Sequence, residues 1–185
     1  LQTIQRRFLD GNPVEKKKVY DIHGRKIAEI DEAGKEINFL YNKNSLLART
    51  IHPPNDDGTR PVVARGYDED ANLTSLTSAL SNATEFTFDA LGRLERITDP
   101  MGHTVSYERD LNGSIVKKVD CKGQNTNFVY DDNKRLVRVD YADGDWAELT
   151  YDLVGNRTSV VGTCGTSATT LTLSQTFDEL NRVTK

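Results

Sequence analysis

The sequence predicts an all-β fold: tandem β-hairpins of about 21 residues each, zipped side by side into one antiparallel sheet. Three observations predict it. An aromatic residue followed by Asp recurs at a near-constant step. Glycine recurs at two fixed places within each step, where a turn needs positive φ. No window of about 15 residues keeps the i, i+3, i+4, i+7 apolar stripe of a helix.

The aromatic column reads Tyr20, Tyr41, Tyr67, Phe88, Arg109, Tyr130, Tyr151 and Phe177. The steps between these positions are about 21 residues, widened twice to about 26. The following column reads Asp21, Asn42, Asp68, Asp89, Asp110, Asp131, Asp152 and Asp178. Such recurrence in a chain with 8% aromatic residues is not chance. Four positions past the aromatic stand Gly24, Gly92, Gly113 and Gly155, with Asn181 as the next best left-handed residue. Ser45, Ala71 and Lys134 depart there. One position further stand Arg25, Arg93, Arg135 and Arg182. A second glycine column holds Gly34, Gly102, Gly123, Gly144 and Gly165. An Asp ahead of a left-handed residue accepts backbone N–H bonds as an Asx-turn does. Each unit therefore holds two turns with a strand after each.

The second strand of a unit shows its faces. The triplets Ile37/Phe39/Tyr41, Thr84/Phe86/Phe88, Val105/Tyr107/Arg109, Thr126/Phe128/Tyr130 and Ala147/Leu149/Tyr151 alternate with Asn38, Glu85, Thr87, Ser106, Asn127 and Glu148, though also with Leu40 and Val129. Period two means one buried face and one wetter face. The first strand is less regular, because Leu94 and Ile97 fall on opposite parities. That break predicts a bulge or an early bend. The two longer units place their extra residues near 52–62 and 161–172, where Pro and Gly mark long hairpin loops. Residues 1–19 read as most of an earlier unit, with Asp10-Gly11-Asn12-Pro13 at its second turn. Residues 177–185 stop after the first strand of another. The expectation is one repeat array over 1–185, incomplete at both ends. The chain opens on Leu1 rather than a methionine, so a start upstream is expected and the lack of a visible signal peptide says little.

A unit such as Phe88-Asp89-Ala90-Leu91-Gly92-Arg93-Leu94, followed by Asp99-Pro100-Met101-Gly102 and Tyr107, resembles the tyrosine–aspartate (YD) repeat of Rhs proteins. Bacterial Rhs proteins, shell subunits of insecticidal toxin complexes and animal teneurins share that repeat. The resemblance covers nearly the whole chain. It implies a curved sheet, an open fragment of a shell that in bacterial relatives encloses a toxic C-terminal domain. It also implies the rest of the parent shell and its cargo as partners, and a secreted or cell-surface, bacterial setting. Arg109, Asn42 and Lys134 depart from the family pattern.

Chemistry is sparse. Net charge is −4, so no basic field holds nucleic acid by its phosphates. No run approaches 18 apolar residues, so no membrane insertion is expected. Asp99-Pro100-Met101-Gly102 resembles one half of the aspartyl-protease-like site of Rhs shells. It occurs once, is followed by His103, and sits where a turn needs Pro and Gly. His23, His52 and His103 lack companions at metal-ligand spacing. Asp140–Asp145 and Asn55-Asp56-Asp57-Gly58 lack the alternating ligands of a calcium loop and read as turns. Gly162-Thr163-Cys164-Gly165 has no base nearby to activate a nucleophile. Cys121 and Cys164 sit two units apart, too far for a disulfide, and read as free thiols. Lys16, Lys17 and Lys18 read as solvated edge-strand lysines that block sheet-to-sheet pairing. The sequence thus predicts a non-catalytic structural segment with no metal and no cofactor. The alternative is a carbohydrate- or cell-surface-binding module, with a glycan stacked on Tyr67 or Trp146.

Overall fold

The structure is a computed structural model that describes residues 1–9, 12–163, 165 and 170–184. The described residues form strands and turns without a helix. The strands are β1 (Gln2–Leu9), β2 (Asn12–Tyr20), β3 (Lys26–Ile30), β4 (Glu36–Tyr41), β5 (Leu47–Ile51), β6 (Val62–Tyr67), β7 (Leu73–Thr77) and β8 (Ala83–Phe88). They continue as β9 (Leu94–Thr98), β10 (Thr104–Arg109), β11 (Ile115–Val119), β12 (Asn125–Tyr130), β13 (Leu136–Asp140), β14 (Trp146–Tyr151), β15 (Arg157–Thr163) and β16 (Thr170–Ser174). Strand order in the sheet follows chain order from β1 to β16, with no crossover. Contacts divide the chain into two units, Leu1–Arg93 with Thr98–Met101, and Leu94–Ile97 with Gly102–Lys185.

In the first unit, antiparallel pairing runs from β1 through β8. The turn after β2 shows why the chain reverses there. Asp21 N–H donates to the Arg25 carbonyl at 2.9 Å, and Gly24 N–H donates to the Asp21 carbonyl at 3.2 Å. Gly24 has φ +78°. A three-residue loop closed by a left-handed residue matches the twist of the flanking strands. The next turn repeats the geometry, with Asp31 N–H on the Lys35 carbonyl at 3.0 Å and Gly34 at φ +78°. Each unit of sequence therefore carries two turns of one kind, and antiparallel pairing sends them to opposite edges of the sheet.

The second unit repeats the pattern from β10 through β16. The expected bulge is present in both units, always opposite the aromatic column. Val129 faces Arg138 while Tyr130 faces Leu136, so Val137 is the extra residue. The same slip occurs at Tyr20, Tyr41, Tyr67, Arg109 and Tyr151. One extra residue moves the side chains that follow it to the opposite face of the first strand.

Alternation holds in β8, β12 and β14, while Asn38 in β4 and Ser106 in β10 are half-buried rather than exposed. Phe86, Phe128 and Leu149 are half-buried while Glu85, Thr87, Asn127, Val129, Glu148 and Thr150 between them are exposed. The favoured face is not fully buried. Only Ala28, Thr50 and Val139 fall below a tenth exposed among the described residues. A single layer of sheet has no second layer to close over it, so strand neighbours supply all the cover.

The connection from β5 to β6 is a two-tier hairpin. His52 N–H reaches the Pro61 carbonyl at 2.8 Å, and an inner turn joins Asn55 N–H to the Thr59 carbonyl at 2.8 Å. Arg60 pins this loop, donating from Nε to the His52 carbonyl at 2.9 Å and from Nη2 to Asn38 Oδ1 at 2.8 Å. Near the other insertion, β15 itself is longer, and its ladder extends to Thr163 opposite Thr170. The expected turn at Asp10-Gly11 and the thiol of Cys164 lie outside the described residues. Cys121 is a free, exposed thiol.

Candidate functional site: the repeat turn and its side-chain clasps

The repeated residues meet along the edge of the sheet that carries the first turn of each unit. The aspartate comes first. Asp21 Oδ1 accepts the N–H of His23 at 2.9 Å and of Arg25 at 3.0 Å. Asp89 does the same for Leu91 and Arg93, Asp131 for Asn133 and Arg135, Asp152 for Val154 and Asn156, and Asp178 for Leu180 and Arg182. Asp68 and Asp110 accept the later N–H, from Asn72 and Ser114, each at 2.8 Å. Asn42 Oδ1 takes the same two bonds at 3.0 Å, so an amide oxygen replaces the carboxylate without loss of the turn. Backbone N–H groups aimed at one oxygen favour its charged form. The Arg93 N–H accordingly holds the Asp89 carboxyl below its ordinary 3.8, and the N–H groups of Arg135 and Arg182 do so for Asp131 and Asp178.

The second carboxylate oxygen faces the arginine column. Arg25, Arg135 and Arg182 donate from Nε to Asp21, Asp131 and Asp178 at 2.7 Å, and Arg93 donates to Asp89 at 2.8 Å. Two of these arginines then reach the next unit. Arg25 stacks over the Tyr41 ring at 4.8 Å and donates to Ser45 Oγ at 2.8 Å. Arg135 stacks over Tyr151 at 4.7 Å and donates to the Asp152 carbonyl at 3.3 Å.

The aromatic column makes the third link. Tyr41 donates its hydroxyl to the Lys26 carbonyl at 2.9 Å, across the hairpin that it closes. Tyr67, Tyr130 and Tyr151 do the same to Leu47, Ile115 and Leu136 at 3.0, 2.9 and 2.8 Å. Tyr20 stands at the end of β2, its N–H on the Leu1 carbonyl at 2.8 Å. Phe88 and Phe177 fill the column without a hydroxyl. The glycines Gly24, Gly92, Gly113 and Gly155 hold φ between +71° and +96°, and Ser45, Ala71, Lys134 and Asn181 hold the same region at +58° to +69°.

Reading the columns by residue name missed three members. Asn72 and Asn156 take the arginine's place, each donating from Nδ2 to the aspartate oxygen at 2.9 Å. Asn156 also reaches the next turn at Asn181 Oδ1, 2.9 Å away. Arg109 replaces a tyrosine but keeps its bond, donating from Nη1 to the Leu94 carbonyl at 2.6 Å. Sorting by donor group instead of residue type would have found all three.

The remaining candidates are parts of turns. Asp99 accepts the Met101 N–H at 2.8 Å. Asp143 accepts the Asp145 N–H at 3.1 Å, Asp145 accepts the Gly165 N–H at 2.7 Å, and Asp57 holds Thr59 at 2.8 Å. Among the described residues no cluster of three or more His, Cys, Asp or Glu has the arrangement of a metal site. Among the described residues no helix is long and apolar enough to cross a membrane.

These features define a tandem β-hairpin repeat array. The family model described as RHS Repeat matches residues 67–104. Double-stranded DNA deaminase toxin A of Burkholderia cenocepacia (strain H111) is 30% identical over 106 residues, which is 56% of this chain and 7% of that protein. Among solved structures, the crystal structure of TcdB2-TccC3-Cdc42 superimposes with a TM-score of 0.75 at 14% identity, over 99% of this chain and 12% of that one. The Photorhabdus luminescens Tc holotoxin pore gives 0.75 at 15% identity, over 92% and 10%. The chain thus spans about a tenth of the length of the structures it matches. The RHS Repeat match covers residues 67–104, and the solved structures share the fold.

Proposed function

We propose that the chain is a non-catalytic wall segment of a larger Rhs-type protein, one part of a β-shell around a C-terminal cargo domain. The observation that supports this is where its side-chain bonds go. Asp, Arg or Asn, and Tyr tie nearly every hairpin to itself, and Arg25, Arg135 and Asn156 tie it to the next as well. A solenoid-like array gains stability from each neighbour interface, so such links extend a wall rather than build a pocket. The partners on this reading are the rest of the shell and the enclosed domain, in a secreted bacterial setting. A toxin among the relatives and Tc toxin structures among the neighbours are consistent with it.

The test is limited proteolysis of the parent protein. The cargo domain should resist protease while the wall is intact, and become cleavable when Asp131→Ala and Arg135→Ala break the clasps of this segment. Cleavage of the cargo at the rate of the isolated domain, with the wall intact, contradicts the reading. A glycan-binding role has one supporting feature, an open groove of about 620 Å³ beside Tyr141 and Trp146. Arg138 already covers one face of the Trp146 ring at 5.2 Å. A glycan array that lights up with the native chain and goes dark with Trp146→Ala would favour this second reading.

A further inference from the structure

We propose that the hairpin of β7 and β8, with its flanking turns, is a compliant joint of the array: the place where the sheet opens first. Within each unit the junctions can be compared link by link. At the junction closed by Tyr151 both clasps are present, the hydroxyl on the Leu136 carbonyl and the Arg135 bond to the Asp152 carbonyl. The junction closed by Tyr41 likewise has both. Tyr67 and Tyr130 keep the hydroxyl link, although Leu46 and Ser114 replace the arginine. The Asn156–Asn181 bond keeps the turn link before Phe177.

The β7–β8 hairpin has neither link. Phe88 carries no hydroxyl to offer the Leu73 carbonyl. Asn72 donates to Asp68, and in the next turn it faces Gly92, which has no side chain to accept a second bond as Asn181 does from Asn156. An open groove of about 580 Å³ lies over this junction. Its lining includes Asp68, Asp70, Glu85 and Asp89 and no basic residue.

The turns themselves point the same way. Ser78 stands where Asp31 and Asp120 stand in sister repeats. Its hydroxyl accepts the Leu80 and Asn82 N–H groups at 3.3 and 3.2 Å, against 2.9 Å for both Asp31 bonds. Ala71 and Ser81 hold left-handed positions at φ +69° and +63° on the two turns of this hairpin; sister repeats place Gly34, Gly102, Gly123 and Gly144 at the position of Ser81, while that of Ala71 is glycine in four turns and Ser45, Lys134 or Asn181 in the others. Missing side-chain links and strained turns fall together on one hairpin, and low-stability units of that size open on their own. This inference concerns local stability and stands whether or not the segment encloses cargo.

Hydrogen exchange read by mass spectrometry on the full chain tests it. Amides of β7 and β8 should exchange at least about tenfold faster than those of β13 and β14, where both clasps are made. The double variant Asn72→Arg, Phe88→Tyr should slow β7 and β8 by about three- to tenfold and leave β13 and β14 unchanged. Equal protection of the two hairpins in the native chain overturns the proposal. So does a folded double variant whose β7–β8 exchange is unchanged. If that variant does not fold, Arg135→Asn with Tyr151→Phe serves from the other side: it should speed exchange in β13 and β14 toward the β7–β8 rate, and no change there overturns the proposal.

Discussion

An aspartate at the head of a tight turn meets two backbone N–H groups aimed at one oxygen, and its other oxygen is left for a side-chain donor. That division of labour explains why the column tolerates Asn42, whose amide oxygen serves the turn, and why the next column tolerates Asn72 and Asn156. An exposed ion pair alone contributes little. The Asp21–Arg25 and Asp131–Arg135 pairs matter because the same guanidinium also lies on a tyrosine ring and reaches the next turn. At this scale two outcomes are expected. Tyr151→Phe removes the hydroxyl bond to the Leu136 carbonyl and should lower stability by about 1 kcal/mol in denaturant unfolding. Ala71→Gly relieves a left-handed alanine at φ +69° and should raise it by up to about 1 kcal/mol. The turn residues were legible in the sequence because Gly and Asp have few other reasons to recur. Arg109 was not, since its role as a hydroxyl substitute depends on where a flexible side chain reaches.

Each hairpin is one repeat's two strands, and its bulge keeps the aromatic column in register while the first strand flips parity. The mismatch between Leu94 and Ile97 pointed to a bulge or an early bend, and bulges stand opposite Tyr20, Tyr41, Tyr67, Arg109, Tyr130 and Tyr151. The half-buried state of the aromatic face was not legible. Alternation tells which face is drier, but not whether anything lies on it. The close approach of β14 and β15 was equally hidden. Gly162 has no positive φ, yet a Cβ there would stand 2.4 Å from the Trp146 carbonyl oxygen. Gly162→Ala should therefore push the two strands apart and destabilise the fold by about 1–3 kcal/mol, measured as a lowered thermal midpoint. Gly66 meets only the movable Ser75 hydroxyl at 2.4 Å, so the same change there should have less effect.

Across the whole molecule the turn carboxylates act together in acid. Asp89, Asp131 and Asp178 have folded values below the ordinary 3.8. In the unfolded chain they bind protons more readily, so their contribution is fully present above about pH 5 and is lost as pH falls through 4 and below. Thermal midpoints should be flat from neutral pH down to about 5 and then drop. Replacing Asp131 with Asn should shrink that drop, because the amide keeps the turn bonds without titrating.

The periodic hairpin is tested most directly by deletion. Removing residues 131–151 takes out one whole step and joins Tyr130 to Asp152, restoring the aromatic–Asp pair and the strand directions. The shortened chain should keep a β-sheet circular dichroism spectrum and a cooperative unfolding transition. Removing residues 131–140 instead takes out one turn and one strand, and should abolish both signals in the repeats that follow. A chain that tolerates the two deletions equally, or that unfolds on loss of the full step, would contradict a sheet built from interchangeable hairpins.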